Sequence, residues 1–269
     1  MTATTKAKPT IPARSIALPI EHGSWGFLFE PLVLGMVIAP SIAAVFISLM
    51  VIGAFLLRQP LKFLLGDMRQ GRTLPRTVIA RRFTFWYAPL TLIGLAGILV
   101  TATPSSLLPF VAVAPLAIYL MVQDVARQSR ELVPEILAAI FLSATPASMV
   151  IAAGSTWPFA ISLSLIMIAR LVPSIVYIRN RLNLEKGKPY STAAPAAVHA
   201  VAIAGVAILA QYGLAPWLSV AMLGILFLRS AAGLSRFRRP TPAKVLGIWE
   251  VIYGVLMVTA VSVGYYSGL

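Results

Sequence analysis

The sequence contains no cysteine and only two histidines, His22 and His199. The missing cysteines exclude disulfides, thiolate metal sites and cysteine nucleophiles, and two histidines are too few for a zinc site unless carboxylates contribute. No G-x-x-x-x-G-K-[ST], G-x-G-x-x-G or G-x-S-x-G string occurs either. The sequence therefore gives no basis for a pump driven by ATP or for a serine hydrolase.

Acidic residues are also scarce, with 8 Asp and Glu against 22 Lys and Arg and a net charge of +14. In a soluble chain this excess would suggest a nucleic-acid partner. Here the basic residues flank long apolar runs, a pattern that is typical of transmembrane ends. We expect no nucleic-acid partner, and we expect membrane lipids, whose anionic headgroups stabilise each adjacent basic residue by on the order of 1 kcal/mol.

Hydrophobic residues make up 59% of the chain, and the mean hydropathy is +0.88. About twenty apolar residues suffice to cross a bilayer as a helix. Such runs recur at 24–41, 42–57, 86–102, 106–122, 133–153, 157–178, 196–211, 214–229 and 245–266. The sequence therefore predicts an all-α polytopic membrane protein, with a mobile tail at 1–20 and a single domain of nine transmembrane helices at 21–269.

Charge is distributed unequally between the joints of these runs. The joints at 40–41, 103–105, 154–155 and 211–213 carry no Lys, Arg, Asp or Glu, whereas the alternate joints carry nearly all of the charge. The positive-inside rule predicts a bacterial plasma-membrane protein with a cytoplasmic N-terminus and an external C-terminus. Within the first long charged connection, residues 74–85 alternate apolar side chains with arginines and predict a short amphipathic helix on the membrane surface.

Four polar residues within the predicted spans are candidates for a site, and all lie in the half nearest the charged joints: Glu30, Arg170, His199 and Glu250. A charge near the bilayer centre costs at least about 2.5 to 3.5 kcal/mol, so these groups should pair or line a wet cavity. Prolines follow Glu30 directly and Arg170 after three residues, and they free backbone carbonyls there. The four residues indicate either a structural ion pair or a substrate-binding cavity that opens inward.

Two polar clusters at the charged joints could bind an anion. Arginine and lysine bind phosphate or carboxylate by charge-assisted hydrogen bonds. Topology alone would also place basic residues there. The candidate ligand-binding residues are Arg58, Gln59 and Lys62 after the second run, and Arg179, Asn180, Arg181 and Lys186 after the sixth.

The string Glu21-His22-Gly23-Ser24-Trp25 lies where the chain enters the bilayer. Glu21 and His22 are candidates for direct catalytic chemistry, with His22 as a proton carrier or an axial metal ligand. A lone histidine is more often a hydrogen-bonded interface residue. Both interpretations stay open on the sequence alone.

Together with the two basic clusters and Lys244-x-x-Gly247-Ile248-x-Glu250, this string resembles the YwiC-like family of bacterial membrane proteins. The resemblance spans nearly the whole chain. The helix count and loop placement in turn resemble the UbiA superfamily of intramembrane prenyltransferases. That likeness implies a nine-helix bundle whose cavity is capped by the inner loops between helices two and three and between helices six and seven.

The UbiA resemblance implies a magnesium ion that holds a prenyl pyrophosphate on two acidic motifs. The matching positions offer one acid each, Asp67 and Glu185, as metal ligands or a catalytic base. One acid per loop is a poor two-metal site. Either the arginines and lysines hold the pyrophosphate directly, or prenyl transfer is lost and a lipid cavity remains.

Three functions follow from these observations. The first is binding or modification of an amphipathic lipid with an anionic head, such as an isoprenoid diphosphate, a quinone precursor or a porphyrin. The second is a secondary transporter that uses Glu30, Arg170 and Glu250 as a substrate or proton relay. The third is a non-catalytic accessory protein of a membrane complex. The oligomeric state is not determined by the sequence.

Overall fold

A computed structural model describes residues 12–19, 22–126, 128 and 131–268, without the side chains of residues 22–24. Helices α1 to α5 span Ala13–Ala17, His22–Ile38, Ile42–Arg69, Pro75–Thr101 and Leu108–Val125. Helices α6 to α11 span Leu132–Leu142, Ala144–Ala152, Trp157–Glu185, Ala193–Gln211, Trp217–Leu234 and Ala243–Ser267. A 3₁₀ turn at Pro104–Leu107 leads directly into α5.

Nine membrane crossings follow from this order in the described part of the chain. Eight helical segments are long and apolar enough to span a bilayer, counting α6 and α7 as one, and α2 contributes the shorter apolar stretch Trp25–Ile38. In hydrocarbon each backbone polar group must be satisfied within its own segment, so helices form. The prediction of an all-α polytopic membrane protein is confirmed.

The two ends of the bundle differ in charge. We call the end with connections 70–74, 126–131, 186–192 and 235–242 the basic face, and the other end the opposite face. On the basic face, Arg58 pairs with Asp124 and Arg179 with Glu135. On the opposite face, the Tyr266 hydroxyl donates to the Val37 carbonyl. The basic connections therefore lie on one side, as the charge pattern predicts.

The helices on the basic face are longer than the apolar runs predict. Helix α3 has 28 residues and ends at Arg69, so at 1.5 Å per residue it is about 42 Å long. Helix α4 runs without interruption from Pro75 to Thr101. The prediction of a separate surface helix at 74–85 is wrong, because these residues form the first turns of a transmembrane helix. Polar side chains beyond the apolar run extend both helices.

A short helix occupies part of the segment that was expected to be a mobile tail. In α1, Ile16 is fully buried, and α1 packs against α3 and α4. The Gln59 side-chain amide donates to the Ser15 carbonyl at 2.7 Å. This part of the segment is therefore packed on the bundle, whereas residues 1–11 lie outside the described residues.

Helix α8 is the central element, and it contacts α6, α7, α9, α10 and α11. Between Arg170 on α8 and the opposite face, the bundle is filled by large apolar side chains that are fully or almost fully buried. We call this group the apolar seal: Leu34, Ile166, Met167, Leu223, Leu226, Met257 and Val261. The seal separates the middle of α8 from the opposite face.

The fifth crossing is broken at Ser143, between α6 and α7. Pro146 has no N–H to donate to the Leu142 carbonyl, which interrupts the helical hydrogen-bond pattern. Ser143 turns its hydroxyl back to the Ala139 carbonyl at 2.8 Å. Ala139, about one turn before the break, packs in one cluster with Leu171 and Ile175 of α8. The break is therefore close to the depth of Arg170, the residue that precedes Leu171.

Candidate functional site

Arg170 is the centre of the site and is 1% exposed. Its Nε lies 3.2 Å from Glu30 Oε2, and its Nη2 donates to Glu30 Oε1 at 3.2 Å. The same Nη2 donates to the Glu250 carbonyl at 3.0 Å, and Nη1 lies 3.4 Å from Glu250 Oε2. Nη1 also donates to the Ser174 hydroxyl. One guanidinium therefore holds α2, α8 and α11 together.

A second arginine completes the arrangement from α10. The Arg229 guanidinium pairs with Glu250 Oε1 and donates to the Ser174 hydroxyl at 3.4 Å. Glu250 therefore bridges two arginines, and Ser174 accepts from both. We call Glu30, Arg170, Ser174, Arg229 and Glu250 the buried charge network. With both carboxylates ionised, its two positive and two negative charges balance.

Two aromatic rings enclose Arg229. Its guanidinium carbon lies 4.6 Å from the centre of the Tyr177 ring and 4.7 Å from the centre of the Tyr253 ring. A cation over an aromatic face is attracted by the ring quadrupole, most strongly away from water. Arg229 thus sits in a cage of two rings and one carboxylate.

The two arginines differ in their freedom to move. Arg170 lies near the middle of α8 and is enclosed, whereas the Arg229 side chain is 11% exposed and Glu250 is 22% exposed. Arg229 is also five residues from the end of α10 at Leu234, or about 7.5 Å from the basic face. A long basic side chain at that depth can extend its head to the interface.

A glycine on α11 makes room for Glu30. A methyl group added at Gly254 would overlap the Glu30 carboxylate. Helix α2 can therefore approach α11 closely enough for Glu30 to reach Arg170. A methyl group added at Gly247, about two turns closer to the basic end of α11, would meet no atom within 4 Å.

His199 lies on α9 and is 2% exposed. Its Nδ1 lies 2.7 Å from the Pro195 carbonyl, so Nδ1 carries the proton and donates. Its Nε2 is buried and has no hydrogen-bond partner among the described residues. The ring lies 6.1 Å from Phe227 on α10. The predicted binding role of His199 stays a prediction, with a free acceptor nitrogen to support it.

A polar stripe on α8 continues from the network to the basic face. Arg170, Ser174, Tyr177 and Arg181 recur at helical spacing along it. Arg181 donates to the Arg239 carbonyl at 2.6 Å and to the Gly233 carbonyl, and lies 2.8 Å from Glu185. The stripe therefore ends where Arg181 fastens the α10–α11 connection to α8.

The two acids predicted to hold magnesium lie in separate ion pairs. Asp67 is 1% exposed and accepts from Arg76 at 2.5 Å and from the Thr77 hydroxyl at 2.6 Å. Glu185 pairs with Arg181 and, at 3.6 Å, with Arg238. No group of three metal-ligating side chains occurs among residues 12–19, 22–126, 128 and 131–268. The magnesium site stays a prediction, and arginines hold both of its acids here.

Most of the predicted anion-binding residues have partners within the chain. Arg58 donates to Asp124 at 2.5 and 2.9 Å. Lys62 lies 5.5 Å from the Phe63 ring. Three more have partners on other segments: Gln59 donates to Ser15, Arg179 donates to Glu135, and Asn180 accepts from the Ser191 N–H. Lys186 is exposed. These contacts fasten the connections of the basic face.

The string around Glu21 and His22 is described only in part. Glu21 lies outside the described residues, and His22 begins α2 with a side chain that is not described. Trp25 packs edge-on against Phe55 with ring centres 5.2 Å apart. The catalytic roles proposed for Glu21 and His22 stay predictions.

Sequence reasoning missed Arg229, together with Ser174, Tyr177 and Tyr253. Arg229 stands at the end of the predicted span 214–229 and therefore resembles an interfacial charge. Helix α10 continues to Leu234, which brings Arg229 inside the bundle. The signal that could have found it is the apolar character of Ala231, Ala232 and Leu234 beyond it.

Comparisons with known proteins give one family. The family described as YwiC-like protein matches residues 18–150, which include α2 to α6 and most of α7. No curated protein and no solved structure matches the chain significantly. The matched stretch contains Glu30, whereas Arg170, Arg229 and Glu250 lie beyond it.

Proposed function

The chain is an integral membrane protein of the YwiC-like family, and we propose that it is a secondary transporter whose working centre is the buried charge network. The observation that carries this proposal is the convergence of four ionisable side chains from α2, α8, α10 and α11 within the membrane. Ionisable groups at such depth mark ion and substrate pathways in membrane proteins.

Two further features support transport. A broken crossing at Ser143 lies near the level of the network, and transporters commonly use discontinuous helices at their binding sites. The apolar seal closes the network towards the opposite face, whereas the polar stripe of α8 leads towards the basic face. This arrangement corresponds to the state of an alternating-access cycle that is closed towards the opposite face, with the basic face in the cytoplasm.

In this proposal a proton or a charged solute binds at Glu30 and Glu250 and replaces their contacts with the two arginines. A carboxylate that is neutralised by a proton releases its arginine, which is then free to move away from it. Because Glu250 contacts both guanidinium groups, one protonation there loosens α8, α10 and α11 together. Transport then couples solute binding to the packing of these helices.

Charge-displacement currents from proteoliposomes on a solid-supported membrane test the proposal. The probes are a pH jump and jumps of guanidinium, acetate, phosphate and glycine, which represent a cation, a carboxylate, an inorganic anion and a zwitterion. We expect currents with the wild type for at least one probe and none with Glu30→Gln. Currents equal to those of protein-free liposomes for every probe would contradict transport.

A second candidate, lipid binding, is favoured by an apolar groove of ≈ 490 Å³ between α5, the α6–α7 crossing and α8. Its lining includes Ala112, Ala144 and Ile161, and it could hold part of an isoprenoid or quinone-like chain. Lipid extraction from purified protein would test this. Ala112→Trp should fill the groove and remove a bound prenyl compound, whereas Ala114→Trp, on the same helix but outside the lining, should retain it.

A further inference from the structure

We propose that Tyr177, Tyr253 and Glu250 form a cage for a monovalent organic cation, which Arg229 fills as an internal substitute in this structure. The inference rests on the proposed transport function and names its substrate class. A planar guanidinium between two rings and beside a carboxylate is the arrangement that recognises guanidinium and quaternary ammonium ligands.

The charge balance favours a cation when Arg229 leaves while Glu30 and Glu250 are both ionised. With Arg229 in place, the network has two arginines and two glutamates and is neutral. Without Arg229, Arg170 alone faces Glu30 and Glu250, and one negative charge is left. Because an unpaired charge in this setting is strongly unfavourable, the vacated cage attracts a single positive charge.

Arg229 is the member of the network that can leave. It contacts Glu250, Ser174 and the two rings, whereas Arg170 contacts both glutamates and the Glu250 backbone and is enclosed. Movement of about 7.5 Å towards the basic face brings the Arg229 head to the interface, where water and lipid headgroups solvate it.

Both rings and the Glu250 carboxylate have contacts besides Arg229, and the carboxylate keeps Arg170 as a partner. Tyr177 is on α8 at the polar stripe, and its hydroxyl lies close to Gly233, where an added methyl group would overlap it. Tyr253 packs beside Trp249, with ring centres 6.1 Å apart and an interplanar angle of 35°. The cage is thus preformed, and Trp249 reports on its occupancy.

Equilibrium dialysis of the detergent-purified full chain with radiolabelled guanidinium, far below denaturing concentrations, tests the cage. We expect Arg229→Gln to bind guanidinium roughly tenfold or more tightly than the wild type, because no internal cation must be displaced. Adding Tyr253→Leu should abolish this binding. Arg236→Gln removes another arginine–aromatic contact, to Phe237, and should behave like the wild type.

Three outcomes would overturn the cage. The first is guanidinium binding by Arg229→Gln that equals binding by the Arg229→Gln/Tyr253→Leu variant. The second is binding by Arg229→Gln but not by the wild type, because the cage would then hold only the Arg229 side chain in the natural protein. The third is sodium competing as well as tetramethylammonium at matched ionic strength.

If Arg229→Gln does not fold, Trp249 fluorescence decides the question with the wild-type side chain in place. Guanidinium should change the emission of Trp249, identified by its loss in Trp249→Phe. The change should persist in Tyr253→Phe, which keeps the ring, and disappear in Tyr253→Leu. No change in the wild type would contradict the cage.

Binding without charge-displacement currents would instead contradict transport alone, and currents without guanidinium binding would contradict the cage alone.

Discussion

At the scale of single residues, Arg170 is the largest fully buried side chain in the described part of the chain. Five contacts from Glu30, Ser174 and Glu250 surround a side chain that is 1% exposed. Such a group stabilises the bundle only while both carboxylates remain beside it. Removing it therefore acts mainly through the two carboxylates that stay behind.

Arg170→Leu should destabilise the protein by about 3 to 5 kcal/mol, because it leaves Glu30 without its arginine partner and Glu250 with Arg229 as its remaining arginine. Arg179→Leu provides the control, since its pair with Glu135 is about one-third exposed on both sides and contributes about 0 to 1 kcal/mol. Thermal unfolding in detergent measures both variants. Equal losses of stability would contradict a special role for Arg170.

Gly254→Ala should displace Glu30 and lower both stability and transport current, because the new methyl group occupies the position of the carboxylate. Gly247→Ala, on the same helix with open space around it, should be neutral or slightly stabilising, since alanine favours helices by up to about 1 kcal/mol over glycine. Thermal unfolding and current amplitudes compare the two. A harmless Gly254→Ala would show that Glu30 does not need this close approach.

The grouping of Glu30, Arg170 and Glu250 could be predicted from their similar depth in the spans, and the structure brings them into contact. The place of Arg229 in this group could not be predicted, because helical periodicity does not show whether a helix continues past a charged residue at the end of an apolar run. The implied pairing of Asp67 with Glu185 depends on resemblance, and the structure gives each acid its own arginines. Local charge partners are decided by packing rather than by spacing.

At the scale of elements, α3, α4 and α8 are longer than the hydrocarbon core of a membrane is thick. Hydropathy marks the part of a helix that lies in lipid, but it does not register polar turns that continue the helix outside. This is why α3, α4 and α8 extend into stretches expected to be loops. The Asp67 carboxylate, with Arg76 and Thr77, fastens the tip of the α3–α4 hairpin.

The break between α6 and α7 is the element expected to move. Pro146→Ala restores an N–H that can donate to the Leu142 carbonyl, so the crossing should become a continuous helix. We expect slower amide hydrogen exchange at 143–147, a higher melting temperature and smaller transport currents. Pro134→Ala, near the start of α6, is the control. Unchanged currents in a straightened helix would exclude the break from the transport cycle.

At the scale of the whole molecule, the charge pattern fixes which connections share a side. Contacts at both ends of the bundle agree with this pattern, since Arg58 reaches Asp124 on the basic face and Tyr265 donates to the Leu214 carbonyl on the opposite face. Which helices contact α8 could not be predicted from composition, because every span presents similar apolar surface. The UbiA-like arrangement stays a prediction.

The missing cysteines make sidedness directly measurable by single substitutions. Arg72→Cys and Lys186→Cys should react with a membrane-impermeant thiol reagent from one side of oriented vesicles, and Ser155→Cys and Tyr212→Cys from the other. All four positions lie in connections or at helix ends and are at least partly exposed. The positive-inside rule predicts that the first pair is cytoplasmic. Labelling of Arg72→Cys and Lys186→Cys from different sides would contradict the topology.

The role of the buried charge network is tested most directly by replacing it as a unit with apolar side chains. Well-packed apolar residues often substitute for buried ion pairs without loss of stability. The variant Glu30→Leu/Arg170→Met/Arg229→Met/Glu250→Leu should therefore fold and melt close to the wild type while its charge-displacement currents disappear. A folded variant that retains wild-type currents would show that these four charges only hold the helices together.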